Sequence, residues 1–298
     1  MSDHGREPEF GINVDPAAAA AAATRELVRR ADAGGLDLVG IQDHPYVDRF
    51  LDTWTLMATV LADTERIRVF PDVANLPLRP PAMLAKAAAS LDVLSGGRFE
   101  LGLGAGYSWE AIAAMGGPRR SPGESVDALE EAIAVIRLFW SGERGARFEG
   151  RHYRVKGLHP GPPPAHPIEI WLGAYKPRML SLTGRLADGW IPSLRYAPPE
   201  RIPAMQRRVD EAAEEAGRPQ VAIRRMYNVS GVITDGEARG LLHGPASHWI
   251  EELTRFVVEL RLDTFLFWPR QDHARQVDRF AAEVAPGVRE SVAREGGS

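Results

Sequence analysis

No cysteine occurs anywhere in the 298 residues. That absence removes disulfides, thiolate zinc sites, iron-sulfur ligation and cysteine nucleophiles together, and it accords with a reducing, cytoplasmic setting. Long apolar runs are missing as well. The seven alanines from Ala17 to Ala23 fall well short of the roughly 18 apolar residues of a membrane span. The polar start from Met1 to Glu9 carries no leader pattern, so a soluble, unprocessed chain without a membrane partner is expected. Excess positive charge is the third absence. With 36 basic against 40 acidic residues, there is no basic stripe to neutralise a run of phosphates, which argues against a nucleic-acid partner. His243 and His248 lie five apart, not at the i, i+4 spacing that puts two ligands on one helix face, so no metal is expected.

What is present is a rhythm. Short β-branched or apolar segments alternate with helical patterns: Phe10 to Val14, Leu36 to Gln42, Ile67 to Val73, Phe99 to Leu103, Ile168 to Leu172, Gly189 to Ile191, Val221 to Ile233 and Thr264 to Trp268. Asp15 is placed to cap the first helix, with Pro16 at its first turn and Gly34-Gly35 after its end, as capping chemistry favours. A long helix from about Gly123 to Trp140 shows Leu129, Ile133, Ile136 and Phe139 at helical spacing. Eight strands with helices between them predict an α/β fold, a (β/α)8 TIM barrel in one domain over 1–298. The rhythm breaks after the fourth strand and its helix. Residues 141–167 are rich in Gly, Pro and Arg, with a small hairpin near Phe148 to Tyr153, and are expected to form an insertion; residues from about 286 to 298 are expected to be a frayed polar tail.

Barrel chemistry gathers at the carboxyl ends of the strands, which nominates four clusters. Asp43 and His44 end the second strand directly before Pro45. Histidine titrates near neutrality, so His44 can give or take a proton, with Asp43 orienting it or raising its basicity; a solvated turn has the same letters. Asp72, Val73 and Ala74 follow the third strand, where an acid serves equally as a turn cap. Gly104, Ala105 and Gly106 follow the fourth. Tyr107 stands where a dinucleotide fingerprint needs its third glycine, leaving close approach of backbone to a flat ring or simple turn geometry. Gly173, Ala174, Tyr175 and Lys176 follow the fifth strand and open a helix at Pro177. Free N-H groups, the helix dipole and a cation make such a start an anion site.

Four segments together, Gly40 to His44, Ala89 to Arg98, Leu101 to Gly106 and Ala187 to Trp190, resemble the luciferase-like monooxygenase superfamily, which includes bacterial luciferase-type flavin enzymes and F420-dependent oxidoreductases. The resemblance runs from Phe10 to about Val284. It implies a TIM barrel, usually a homodimer, with a flavin or deazaflavin ring in the mouth, and a non-proline cis peptide at Asp72-Val73. It places the cofactor phosphate at Gly173 to Arg178, in agreement with the anion site, and it places the histidine of Asp43-His44 beside the hydride-transfer centre. Some members carry a polar side chain near the ring where this chain has Gly104-Ala105-Gly106.

The leading expectation is an F420-dependent oxidoreductase moving a hydride to or from a small organic substrate. Arg79, Lys86, Arg119 and Arg120 are candidates to flank the acidic F420 tail. One alternative is an FMN-dependent monooxygenase using O2 and a partner flavin reductase. A second is a barrel that has lost its chemistry and serves as a binding subunit. Tyr46, Phe50, Trp54 and Tyr107 are candidate pocket walls. Leu56, Met57, Val60 and Leu61 are candidates for a dimer face or for the core.

Overall fold

The computed structural model describes residues 6–296. Its parallel strands are β1 (Glu9–Val14), β2 (Leu38–Ile41), β3 (Arg68–Pro71), β4 (Ala74–Asn75) and β5 (Leu101–Gly104). An antiparallel hairpin follows, β6 (Ala146–Glu149) and β7 (Arg154–Leu158), and then β8 (Ile170–Leu172), β9 (Gly189–Trp190), β10 (Arg224–Ile233), β11 (His243–Gly244) and β12 (Thr264–Pro269). The helices are α1 (Ala21–Ala33), α2 (Thr53–Asp63), α3 (Pro81–Ser95), α4 (Trp109–Ala114), α5 (Pro122–Trp140), α6 (Pro177–Leu186), α7 (Ile202–Glu215), α8 (Ala246–Leu260), α9 (His273–Arg279) and α10 (Ala285–Gly296).

Hydrogen-bonded neighbours run β3-β2-β1-β12-β10-β9-β8-β5-β4. β3 and β4 are two halves of one barrel strand, parted at Asp72 and Val73, whose peptide bond is cis. The first half pairs with β2 and the second with β5. A further bridge from Val69 to Phe99 closes the ring. The nine strands of the path therefore fill the eight positions of a (β/α)8 TIM barrel.

Two apolar layers hold it. Inside the barrel, Leu38, Phe70, Trp171, Ile191, Met226 and Leu266 form a closed plug, with Phe70 meeting Trp171 edge-on at 4.9 Å; such a pair contributes about 1 kcal/mol beyond its buried area. The room for Trp171 comes from Gly189, where a Cβ would lie 2.5 Å from the indole. Outside the strands, a second cluster fills the space under the helices and includes Leu56, Met57, Val60 and Leu61. Those four α2 residues thus serve the core, and a dimer face is not built from them.

The two segments that carry the resemblance most specifically prove to be structural locks. After α3, Gly96 and Gly97 turn the chain at φ 70 and 91. Arg98 then donates to the carbonyls of Leu61 (2.8 Å), Ser95 (3.0 Å) and Ile67 (3.2 Å). Asp92 accepts the N-H groups of Ala165 and His166 at 2.7 and 3.0 Å. In the Ala187 to Trp190 segment, Asp188 accepts the Ile170 N-H at 2.9 Å and pairs with Arg137 at 3.0 Å. All of this lies at the amino ends of the strands, away from the mouth.

Three details differ from the sequence reading. Asp15 does not cap the first helix, because Ala17 pairs with Phe50 as an isolated bridge and α1 begins only at Ala21. α4 was not anticipated. The expected frayed tail is helical as α10 over its described residues, with 297 and 298 outside them: Val288 and Val292, spaced i, i+4, are buried, and Arg289 pairs with Asp37 at 2.7 Å and covers the Phe10 ring. Such spacing gives even a polar helix one face to bury. Among the described residues no helix is long and apolar enough to cross a membrane.

Candidate functional site

The carboxyl ends of the strands bring Asp43, His44, Asp72 to Asn75, Gly104 to Gly106 and Gly173 to Lys176 to one mouth. Successive residues at a strand end point to opposite sides, and Asp43 and His44 part accordingly. The Asp43 carboxylate is buried and takes a two-bond fork from Arg79, Nε to Oδ2 at 2.7 Å and Nη2 to Oδ1 at 2.8 Å. It also accepts the Asn75 N-H at 2.9 Å. The direct orienting role expected for Asp43 is therefore corrected: its lone pairs are directed to Arg79 and Asn75, and the His44 ring is held through Nδ1 by the Tyr46 hydroxyl at 2.9 Å. Burial holds the His44 imidazole below the ordinary histidine range, with the Asp43 and Asp15 carboxylates pulling the other way. Asp43 thus does raise the basicity of His44, through its charge, and desolvation outweighs it.

Beneath this pair lies a polar layer on top of the apolar plug. Asp72 keeps some solvent contact at the base of the mouth while protein surrounds it. Its carboxyl is pushed up to about 6 by that enclosure, against hydrogen bonds from the Asn228 and Asn13 side chains. Asn13 donates to Asn228 Oδ1 at 2.8 Å, and Asn228 donates to Ser193 Oγ at 3.2 Å. Asn13 Oδ1 and Asn75 Oδ1 are buried without a partner among the described residues. A buried acceptor left unpaired is costly; Asn13 Oδ1 is packed against Gly40 inside the barrel.

The floor of the mouth is smooth around Val73. A Cβ at Gly104 would lie 2.6 Å from Val73 Cγ2, and one at Gly173 would lie 3.6 Å from it. Ala74 and Ala174 are buried and Ala105 is half-buried, so small residues leave Val73 as the raised contact. Gly106 has a different reason to be glycine: its φ is +105, and a Cβ there would meet Pro77 and Trp109 at 2.7 and 2.9 Å. Its need is internal packing, not approach to a ring.

At the start of α6 no side chain caps the helix. Lys176 is exposed beside it, while the Tyr175 hydroxyl accepts the Ser193 N-H at 3.0 Å. Free N-H groups with a nearby cation suit a phosphate. Arg178, the other cation nominated for this anion site, turns to Asp127 at 2.6 Å.

The cations nominated for an acidic tail are otherwise engaged. Arg79 grips Asp43, Lys86 donates to the Gly161 carbonyl, Arg119 pairs with Glu110 at 3.0 Å and Arg120 lies over the Tyr153 ring. Trp54 is core rather than pocket wall, packed on Phe99. Tyr107 is 80% exposed and projects from the rim. Sequence reasoning missed Asn13 and Asn228, though the segment from Ser193 to Tyr196 was expected to line the pocket. The available signal was a polar residue within otherwise apolar strands, which seldom occurs without a partner.

The family model described as luciferase-like monooxygenase matches residues 8–284. An uncharacterized protein of Mycobacterium tuberculosis is 33% identical over 190 residues, 64% of each chain. A phthiodiolone/phenolphthiodiolone dimycocerosates ketoreductase of the same organism is 33% identical over 219 residues, 72% of this chain and 53% of the relative. The matched region thus spans between about half and two thirds of these relatives' own length. Among solved structures, an F420-dependent secondary alcohol dehydrogenase in complex with an F420-acetone adduct superposes with a TM-score of 0.85 at 19% identity, covering 95% of this chain and 99% of that one. The monooxygenase RslO1 from Streptomyces bottropensis gives 0.79 at 20% identity, covering 93% and 99%. At these identities the superpositions speak for the fold.

Proposed function

The chain belongs to the luciferase-like monooxygenase family, and from that membership we propose that it is an F420-dependent oxidoreductase moving a hydride to or from the carbonyl or alcohol carbon of a small organic substrate. The observation that carries the reading is His44. It is half-buried at the mouth, held through one ring nitrogen by Tyr46 and kept neutral near pH 7 by burial. A neutral imidazole with its other nitrogen unspent is the group that alcohol oxidation requires as proton acceptor. Its protonated form returns the proton in the reverse direction.

The residues present suit the cofactor. Val73 and the small residues around it offer a flat ring an apolar bed, Asn75 Oδ1 beside them is an unpaired acceptor, and the start of α6 with Lys176 suits the phosphate. When bound, F420 supplies a carbon centre that gives or accepts a hydride and reacts poorly with O2. The chain supplies position and proton control. His44 takes the hydroxyl proton of an alcohol.

Support also comes from the relatives. The ketoreductase and the F420-dependent secondary alcohol dehydrogenase both bear names of the alcohol and carbonyl couple. An FMN-dependent monooxygenase is the second reading, favoured by the likeness to the monooxygenase RslO1. The engaged state of Arg79, Lys86, Arg119 and Arg120 lends F420 no extra support, so the choice rests on His44. We propose a homodimer, with the outer face of α3, where Met83 and Leu94 are exposed, as the candidate for the contact. The test is an anaerobic assay with reduced F420 and a panel of short ketones and aldehydes. Oxidation of the cofactor in step with alcohol formation supports the reading, and activity only with FMN and O2 removes it.

A further inference from the structure

The Asp43 side chain has no solvent exposure, and that of Arg79 is 20% exposed. Arg79 reaches further than Asp43. Its Nη2 also bonds Asp52 Oδ2, and Asp52 in turn caps α2 by accepting the Thr55 N-H at 2.9 Å. The guanidinium carbon lies 5.7 Å from the Trp54 ring centroid. One cation thereby ties the loop after β4 to the end of β2 and to the start of α2, and His44 stands on the residue next to its grip.

We propose that Arg79 is a positioning residue for His44: its fork turns the Asp43 carboxylate away from the imidazole and offsets part of the charge that carboxylate presents there. An Arg-carboxylate fork fixes both geometry and charge in a way that a single point charge does not. The groups that face His44 are few. Asp43 adjoins it, Asp15 approaches from the end of β1, and the Tyr46 hydroxyl holds Nδ1. Tyr46 itself neighbours the Ser108 N-H and the Tyr107 phenol. Arg79 acts on the ring only through Asp43. With the fork closed, Asp43 raises the basicity of the ring less than a bare carboxylate would, and burial outweighs it. The consequence for turnover rests on the oxidoreductase reading, but the protonation effect does not.

The experiment is a ¹⁵N NMR titration of the His44 ring in the wild-type protein, Arg79→Gln and Asp43→Asn, with His44→Gln used to assign the signal. No cofactor or substrate is needed, so a failed F420 reading leaves this test intact. Arg79→Gln leaves an unbalanced carboxylate beside the ring, and the His44 midpoint is expected to rise by about one pH unit, past the ordinary histidine value of about 6.5. Asp43→Asn removes a carboxylate that raises the ring's basicity while Arg79 keeps Asp52 as its partner, and the midpoint is expected to fall below that of wild type. A merely structural role for Arg79 gives a different pattern, because loosening the loop exposes His44 in both variants and moves both midpoints up toward 6.5 without passing it. That pattern, or two unchanged midpoints, overturns the proposal. Should Arg79→Gln fail to fold, Arg79→Lys, which keeps a cation but not the two-bond fork, decides: a midpoint past about 6.5 supports the proposal, and one unchanged or stopping short of that value overturns it.

Discussion

The His44 imidazole and the Tyr46 hydroxyl meet at 2.9 Å through Nδ1, across a single intervening proline. The contact fixes the ring plane and leaves the other nitrogen for a substrate. General acid-base groups contribute on the order of 100-fold or more to turnover. His44→Ala is therefore expected to lower kcat by about 100-fold or more with cofactor affinity nearly unchanged, and Tyr46→Phe by about tenfold. Steady-state kinetics beside a binding titration checks both. Full turnover in His44→Ala removes the histidine from the chemistry.

Asp72 makes stability depend on pH in a defined direction. Its folded value of about 6 lies above the ordinary 3.8, so between those values the folded protein holds a proton that the unfolded chain has released. Stability falls as pH rises through that window. Asp72→Asn is expected to be more stable than wild type at pH 7.5, by no more than about 2 kcal/mol after allowance for solvent contact. The advantage disappears near pH 4. Denaturant melts at both pH values test this, and an equal difference at both would count against it.

His166 shows the opposite sign. It sits between Glu100 and Asp92, which hold its proton affinity above the ordinary histidine range against the cost of burial. Its contribution is fully present below about pH 6.5 and is lost as pH rises through the raised folded value. His166→Ala should lower the melting temperature at pH 6 and matter less at pH 9. A larger effect at pH 9 would contradict the ion-pair assignment.

Gly104 bears on the floor of the mouth. A Cβ there would lie 2.6 Å from Val73 Cγ2, so Gly104→Ala forces Val73 to move. Overpacking of this kind costs about 1 to 3 kcal/mol. Reduced stability together with weaker cofactor binding is expected, read by thermal melts and titration. Wild-type affinity in this variant would show that Val73 does not support the ring.

The barrel was legible because eight apolar segments alternate with helical patterns, and each strand's character is set locally by its own side chains. α10 was less so: Ala285, Val288 and Val292 are its buried residues among those described, and so short a stripe among polar neighbours resembles a tail until its partner surface is known. At the site, His44 and the mouth were readable from strand ends. The partners were not. Asp43 meets Arg79 across 36 residues, and Asn13 meets Asn228 across 215; such pairings are decided by closure of the barrel rather than by spacing. Arg79, viewed as a free cation, suggested an anionic ligand, whereas the fold supplies its anions internally. The break between β3 and β4 followed from the resemblance alone, since nothing in the local letters marks Asp72-Val73 as cis.

The central claim is that the mouth serves a deazaflavin and not a flavin. Side-by-side fluorescence titrations with F420 and FMN on the same preparation test it most directly. The expected result is saturable F420 binding at micromolar concentration that a tenfold excess of FMN does not displace. Tight FMN binding with no response to F420 would contradict the claim and return the chain to the monooxygenase reading.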